Sequence, residues 1–324
     1  MAEVAASSLK AALDLDWDDP AALPHALRVV LAAVGRVEGL AAELGGTKDP
    51  GVARGLAAAR QVQDQDTVVG DDGVTRIRHG VAKDRRISIE DAQMRHGRKT
   101  KSVRIDGYKR HVLTDLDTQL LPSVGVTAAN VAEAKVADQI KADLDAQQRT
   151  LEELNIDRAY LSSSLVRDRD PDLQVFCKAF PVRNGPRFAK TAFTLDFDQG
   201  LLTCPNSITV AFAPGGKVQF PAQICAACPL RIQCTTSARG RSVQIHPDEQ
   251  LLVELRTRQQ TPHGRAKLRE RVKVEHTLAH VGRWQGRRAR YIGDHKNLFD
   301  LRRVAVVHNL HVIARQPSLA KQAA

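Results

Sequence analysis

Leu23, Leu27, Val30, Val34, Val37, Leu40 and Leu44 recur at spacings of three and four, the period of one helix face. Asp18, Asp19 and Pro20 supply an acid and a proline suited to a helix start, and Gly45-Gly46 supplies a stop. The spacing predicts a packing helix without chemistry of its own. Residues 62–83 are polar and contain Asp71-Asp72-Gly73, which predicts a loop with a turn. Arg86-Ile87-Ser88-Ile89 alternates and predicts a short strand.

A clearer rhythm follows. Residues 108–116 predict a strand, Asp117-Thr118-Gln119 a turn, and residues 120–126 the returning strand of a hairpin. Asn130 is placed to cap a helix reaching Gln147, with Val131, Ala134, Ala137, Ile140 and Leu144 on one face. A strand over 153–156 ends in Asp157, a short helix covers 162–169, and residues 174–180 form another strand. Strand, strand, helix, strand, helix, strand argues for a mixed α/β sheet. Residues 181–248 are rich in Pro, Gly and Cys, with strand-like runs at 208–212, 217–220 and 242–245. The chain then turns helical, ending in an apolar helix over 304–313. Four parts result: a helical segment and loop (1–79), an α/β part (80–180), a Cys-containing β segment (181–248) and a helical C-terminal part (249–324).

Composition narrows the class. With 324 residues, 43% apolar and 26% charged, the chain can build one large core or two ordinary ones. No run of eighteen apolar residues predicts a membrane span. The first ten residues lack a basic segment followed by an apolar one, so a cytoplasmic protein is expected. The net charge of +11 is concentrated. Residues 95–111 hold seven Lys and Arg against one acid, residues 261–303 hold twelve against four, and residues 1–72 are acidic. Two basic segments point to a polyanion, with nucleic acid first; a solvated basic face is the plainer alternative.

The five cysteines of a cytoplasmic chain are better read as metal ligands or small buried residues than as disulfides. Cys204, Cys225, Cys228 and Cys234 include one C-x-x-C pair, so the group could hold structural Zn2+. Reduced, partly buried thiols are the other reading. Cys177, in an apolar strand, is a core residue.

Among the acids, Asp157 lies at a strand end, where α/β sheets place reactive groups. Glu275 shares a helical arc with Leu268 and Val272, and Arg271 lies one turn before it. A buried salt bridge or a metal-binding carboxylate would each explain that pattern. His276 and His280 are four apart but lack the intervening Glu of a protease site, so they are ranked as DNA-facing or structural. His96 and His111 show no partners in the sequence.

Several motifs together resemble bacterial insertion-sequence DDE transposases. They are His96-Gly97-Arg98-Lys99-Thr100, Gly107-Tyr108-Lys109-Arg110-His111, Asp115-Leu116-Asp117-Thr118 and Thr127-Ala128-Ala129-Asn130. They continue in Ile156-Asp157-Arg158-Ala159-Tyr160, the cysteine group, Arg269-Glu270-Arg271-Val272 with Glu275-His276, and Lys296-Asn297-Leu298-Phe299-Asp300-Leu301. The resemblance covers roughly residues 80–315. It implies a ribonuclease-H-like α/β fold, a mixed sheet flanked by helices, with a small Cys-containing β insertion. Asp157 would be the second catalytic acid and Glu275 the third, holding Mg2+ or Mn2+ for phosphoryl transfer at insertion-sequence ends. Leu268 stands where relatives carry Tyr, and Gly282 where they carry Lys. Arg98, Lys99, Lys101, Lys109, Arg110, Arg271, Arg283, Arg287 and Arg288 would meet DNA phosphates. Expected partners are double-stranded DNA and a second copy of the chain, at the nucleoid.

The family's first acid, in an Asp-Ser-Thr context before the hairpin, has no match here, and the reading frame is expected to be an N-terminally truncated copy. Asp91 is the candidate replacement, although its distance from any Asp-Ser-Thr motif argues against a catalytic role. Three readings stay open: a transposase with its first acid lost, a non-catalytic zinc-containing DNA-binding protein, and a nuclease using Asp91, Asp157 and Glu275.

Overall fold

The computed structural model describes residues 13, 16, 18, 19, 21–98 and 100–316. Pro20 of the expected helix start and Lys99 of the basic stretch lie outside the described residues. Small sheets and helices alternate in a mixed α/β architecture, as expected for a ribonuclease-H-like domain. The chain divides into two compact units interleaved along the sequence. One contains Met1–His111, Val126–Val131 and Gln285–Arg303; the other contains Val112–Gly125, Ala132–Trp284 and Val304–Ala324.

In the first unit, helix α1 (Ala22–Glu43) has the expected period but buries only Ala22 and Ala26. Along the expected packing face Leu27, Val30 and Val34 are half-buried, while Leu23, Val37, Leu40 and Leu44 stay exposed. Helix α2 (Pro50–Asp66) follows, started by Asp49, whose carboxylate accepts the N–H groups of Gly51 and Val52 at 2.7 and 3.0 Å. The loop expected over 62–83 is instead the end of α2 and a hairpin of β1 (Thr67–Val69) and β2 (Thr75–Ile77). Asp71-Asp72-Gly73 forms its turn, with Gly73 at φ 73°. Strands of three residues are too short to show a period.

The expected strand at 86–89 reduces to a single bridge, Arg86 to Arg95. The basic stretch is the strand instead: β3 (Arg95–Arg98) lies beside β4 (Arg104–Leu113), with β5 (Ser123–Ala128) on its far side. Asn130 caps no helix; its amide donates to Asp84 Oδ1 at 2.8 Å. Ala132 is extended, so a 3-10 turn (Glu133–Val136) comes first and helix α3 runs over Ala137–Ala146.

The second unit is built on a parallel pair, β6 (Glu153–Asn155) and β7 (Gln174–Phe176), with Leu154 opposite Val175. A 3-10 turn (Arg158–Tyr160) and the single-turn helix α4 (Ser164–Arg167) make the crossover. The Cys-containing segment forms β8 (Thr194–Asp196), β9 (Leu201–Thr203) and β10 (Thr209–Ala211) in one sheet. It also forms β11 (Lys217–Gln219) paired with β12 (Ser242–Gln244), and two short helices, α5 (Ala222–Ala226) and α6 (Arg231–Cys234). Phe193, Leu202, Val218, Phe220, Val243 and Ile245 give this segment its own core. Helices α7 (Glu249–Arg258), α8 (Pro262–Gln285) and α9 (Asp294–Arg315) complete the chain. The last begins ten residues before the apolar run that announced it, because its first turns carry polar side chains.

One core cluster joins Leu154, Val166, Val175 and Cys177 to Leu251 and Leu255 of α7. Helix α7 begins with a buried carboxylate. Glu249 is 2% exposed and is held by Lys190 Nζ, by Arg256 Nη2 at 2.8 Å and by the His246 N–H at 3.0 Å. Burial pushes its pKa up, but those donors outweigh burial and leave it below the ordinary value.

His111, buried on β4, shares a hydrogen bond of 2.9 Å with Thr127 Oγ1 on β5. Burial, helped by the Lys109 charge, brings its pKa from 6.5 down to about 4. The unfolded chain therefore binds a proton that the folded chain excludes. The resulting stability is full above about pH 6.5 and is lost as pH falls toward 4. Denaturant melts at about pH 7 and about pH 4.5 should differ by on the order of 2–3 kcal/mol from this group. Replacing His111 by Gln should remove that part of the pH dependence; an unchanged slope in the variant would show that the loss arises elsewhere.

Candidate active site

Asp157 leaves the end of β6 and starts the 3-10 turn, its carboxylate accepting the Arg158 N–H at 2.6 Å. Facing it, α8 presents Arg271 and Glu275 one turn apart. Arg271 Nη1 lies 3.2 Å from Asp157 Oδ2, and Arg271 Nη2 lies 3.3 Å from Glu275 Oε1. Two acids from distant parts of the chain thus meet on one guanidinium. The side chains of Asp157 and Glu275 are 59% and 64% exposed, so the buried salt bridge that the arc of Leu268 and Val272 suggested is not what forms. Val272 is itself exposed. Because the ion pairs are solvated, they hold the three groups loosely.

The scaffold beneath is firmer. Lys267 reaches Glu153 on β6 at 2.6 Å, and Arg258 donates to the Val175 carbonyl at 3.1 Å. Both cations also lie over the Phe176 ring, 5.9 and 5.7 Å from its centre. The turn from α7 into α8 closes on Gly264, whose N–H donates to Thr261 Oγ1 at 3.0 Å. A Cβ at Gly264 would lie 1.9 Å from the Arg258 carbonyl oxygen. Cys177, behind Asp157, has its thiol pushed up to about 11 by burial, with the Asp157 charge adding to the effect. It is an inert core thiol, as its strand position suggested.

Asp91 sits in the first unit and is 5% exposed. Its carboxylate accepts the Tyr108 hydroxyl at 2.8 and 2.9 Å, the Gly293 N–H at 3.0 Å and the Gln93 N–H at 3.0 Å. Burial alone would raise its pKa; these donors hold it below the ordinary carboxylate value.

The basic residues fall into separate groups. In the first unit Lys109, Arg110, Arg287 and Arg288 line a cleft of about 670 Å³, together with Arg104 and Arg290, which no motif in the sequence singles out. The two dense windows of positive charge are the signal for those last two. Lys109 and Arg110 are partly committed, Lys109 to the Val131 carbonyl at 2.8 Å and Arg110 to the Gly286 carbonyl at 2.8 Å. Arg98, at the end of β3, and Lys101, in the following turn, are exposed. Arg271 stands between the acids. Arg283 borders a hollow of the second unit lined by His276, His280, His308 and His311. There His280 Nδ1 and His308 Nδ1 are 3.1 Å apart, and His308 Nε2 is 3.1 Å from the Gln119 carbonyl. His96, without a visible partner in sequence, meets Asp106 Oδ1 at 2.6 Å across the β3–β4 pair.

Cys204, Cys225, Cys228 and Cys234 are unbridged, half-buried and line one hollow with Phe220. The Cys234 thiol is raised by burial and, more weakly, by the other three. Among the described residues, however, no group of three or more His, Cys, Asp or Glu side chains has a metal-holding arrangement. Nor is any described helix long and apolar enough to cross a membrane.

Two family models match the chain, both described as a transposase DDE domain. One covers residues 56–185, which include Asp157, and the other covers residues 204–314, which include Arg271 and Glu275. No curated protein and no solved structure matches it. Gly264→Ala should lower stability by about 1–3 kcal/mol, since the alanine methyl must push the α7 backbone aside. A thermal melt checks this, and a variant as stable as the parent would mean that the turn opens freely.

Proposed function

We propose, from the premise that the chain belongs to the DDE transposase family, that Asp157 and Glu275 are acids of its strand-transfer centre. The observation that carries this is their convergence on Arg271 from β6 and α8. The family acts on DNA at transposon ends and uses a divalent metal, typically Mg2+ or Mn2+. Two solvated carboxylates facing one cation fit as hard oxygen ligands for such an ion, and both are free of burial that would hinder its entry. When bound, the ion would supply charge neutralisation for an in-line phosphoryl displacement. The chain's own part is to fix Asp157 at a strand exit and Glu275 on a braced helix. Asp91 is proposed as a structural hub rather than a third ligand. Its burial and its hydrogen bonds from Tyr108, Gln93 and Gly293 support that role.

Mn2+-dependent nicking of labelled duplex carrying the element's terminal repeat tests the reading. Asp157→Asn and Glu275→Gln should each lower the rate at least ~100-fold, the scale of losing a group that acts on the transition state. Full activity in both variants would refute it.

The cleft bearing Arg287 and Arg288 is proposed as the surface that follows the DNA backbone. Replacing both by Gln should weaken binding alike for all duplexes. It should also reduce the slope of log affinity against log salt by about 1.8, or roughly 0.9 for each phosphate no longer neutralised. An unchanged slope would place the DNA elsewhere.

A second reading, a zinc-holding DNA-binding protein without catalysis, draws support from four thiols lining one hollow. Against it stands the lack of a closed ligand set among the described residues. Elemental analysis of purified protein decides whether zinc is present.

A further inference from the structure

Two carboxylates placed close together repel each other, and a cation between them relieves that repulsion. In this chain the cation is Arg271. Its two terminal nitrogens are divided between the acids, one on Asp157 Oδ2 at 3.2 Å and the other on Glu275 Oε1 at 3.3 Å. A guanidinium stays charged at every working pH, and its planar fork suits two oxygen acceptors at once. Neither acid makes another ion pair among the described residues.

From this we infer that Arg271 is a built-in counter-cation that competes with the divalent metal for Asp157 and Glu275, so that it must swing away before the ion is held by both. The inference rests on the proposed metal role of those two acids. Arg271 stands between the facing oxygens of the two acids, and a divalent ion held by both would need that same space, beside a like charge. All three side chains are solvated: Arg271 is 40% exposed, so it can leave the acids by rotating into water without opening a core. The pairing is therefore exchangeable, as solvated ion pairs generally are. With Arg271 in place the three groups carry a net charge of about −1. With Arg271 withdrawn the two acids alone present a formal charge of about −2, which favours a divalent cation. Arg271 is thus a positioning residue. It offsets the repulsion between the acids in the absence of metal and sets a threshold for metal entry.

The test is a Mn2+ titration of the full chain, followed by the electron paramagnetic resonance signal of the free ion, without DNA. Arg271→Gln should bind Mn2+ roughly five- to tenfold more tightly than the parent, the effect of removing one charge a few ångströms away near a surface. Arg271→Lys, which keeps the charge, should stay within about twofold of the parent if competition is electrostatic. A residue needed only for structure would weaken binding when removed, whereas competition predicts tighter binding. Equal or weaker binding by Arg271→Gln, with Asp157→Asn abolishing binding in both backgrounds, overturns the inference and leaves the metal site standing. Binding that survives both Asp157→Asn and Glu275→Gln overturns the metal role itself, and the inference falls with it. Circular dichroism of each variant confirms that the comparison is between folded chains.

Discussion

A carboxylate removed from water needs compensating charge where it lies, and Glu249 shows what that requirement organises. Lys190 reaches it from the Cys-containing segment, Arg256 from further along α7, and the His246 N–H from the preceding turn. Removing one partner from such a cluster leaves an uncompensated charge inside, which typically costs about 3–5 kcal/mol. The cluster fixes the start of α7. Leu251 and Leu255 of that helix then pack on Leu154 and Val175 of the parallel pair. The exit of β6, and so Asp157, is set by that packing. The tight turn at Gly264 then sets where α8 carries Arg271 and Glu275. The two acids are loosely paired, but the elements that bear them are not loosely placed.

The parts legible in sequence are those with strong local signals. The parallel strands β6 and β7 are short but apolar at Leu154, Val175 and Phe176, and the hairpin of β4 and β5 announces its turn through Asp115-Leu116-Asp117-Thr118. Asp157 and Glu275 can be named because they stand within motifs. Their meeting cannot be derived, since it depends on tertiary packing across more than a hundred intervening residues. Helix α2 escapes notice because alanine-rich stretches show little apolar contrast, and β1 and β2 because three residues carry no measurable alternation. Asn130 has the right chemistry for a cap but is drawn to Asp84, a partner that only the fold supplies.

Charge is readable as density but not as function. The basic windows mark Arg104 and Arg290 as part of a cationic surface without naming them, while Lys109 and Arg110 spend donors on backbone carbonyls. Likewise the apolar arc of Glu275 leaves a buried salt bridge and a metal-binding carboxylate equally open, and Val272 beside it is in fact exposed. Helical periodicity shows which residues share a face. It does not show whether that face is covered.

The Cys-containing segment leaves from one hydrophobic cluster and returns to it: Cys177 and Ala179 precede it, Leu251 follows it, and all three lie in the same core. Its own interior, around Phe193, Leu202 and Phe220, is separate. In polymer terms it is a closed excursion whose two feet are pinned. Because the segment has its own core, only its exposed turns behave as flexible loops, and doubling the length of such a turn shifts its closure free energy by only about 0.6 kcal/mol. Insertions and deletions at its exposed turns can therefore accumulate over evolutionary time with little consequence for the strand exit and the helix that face each other below.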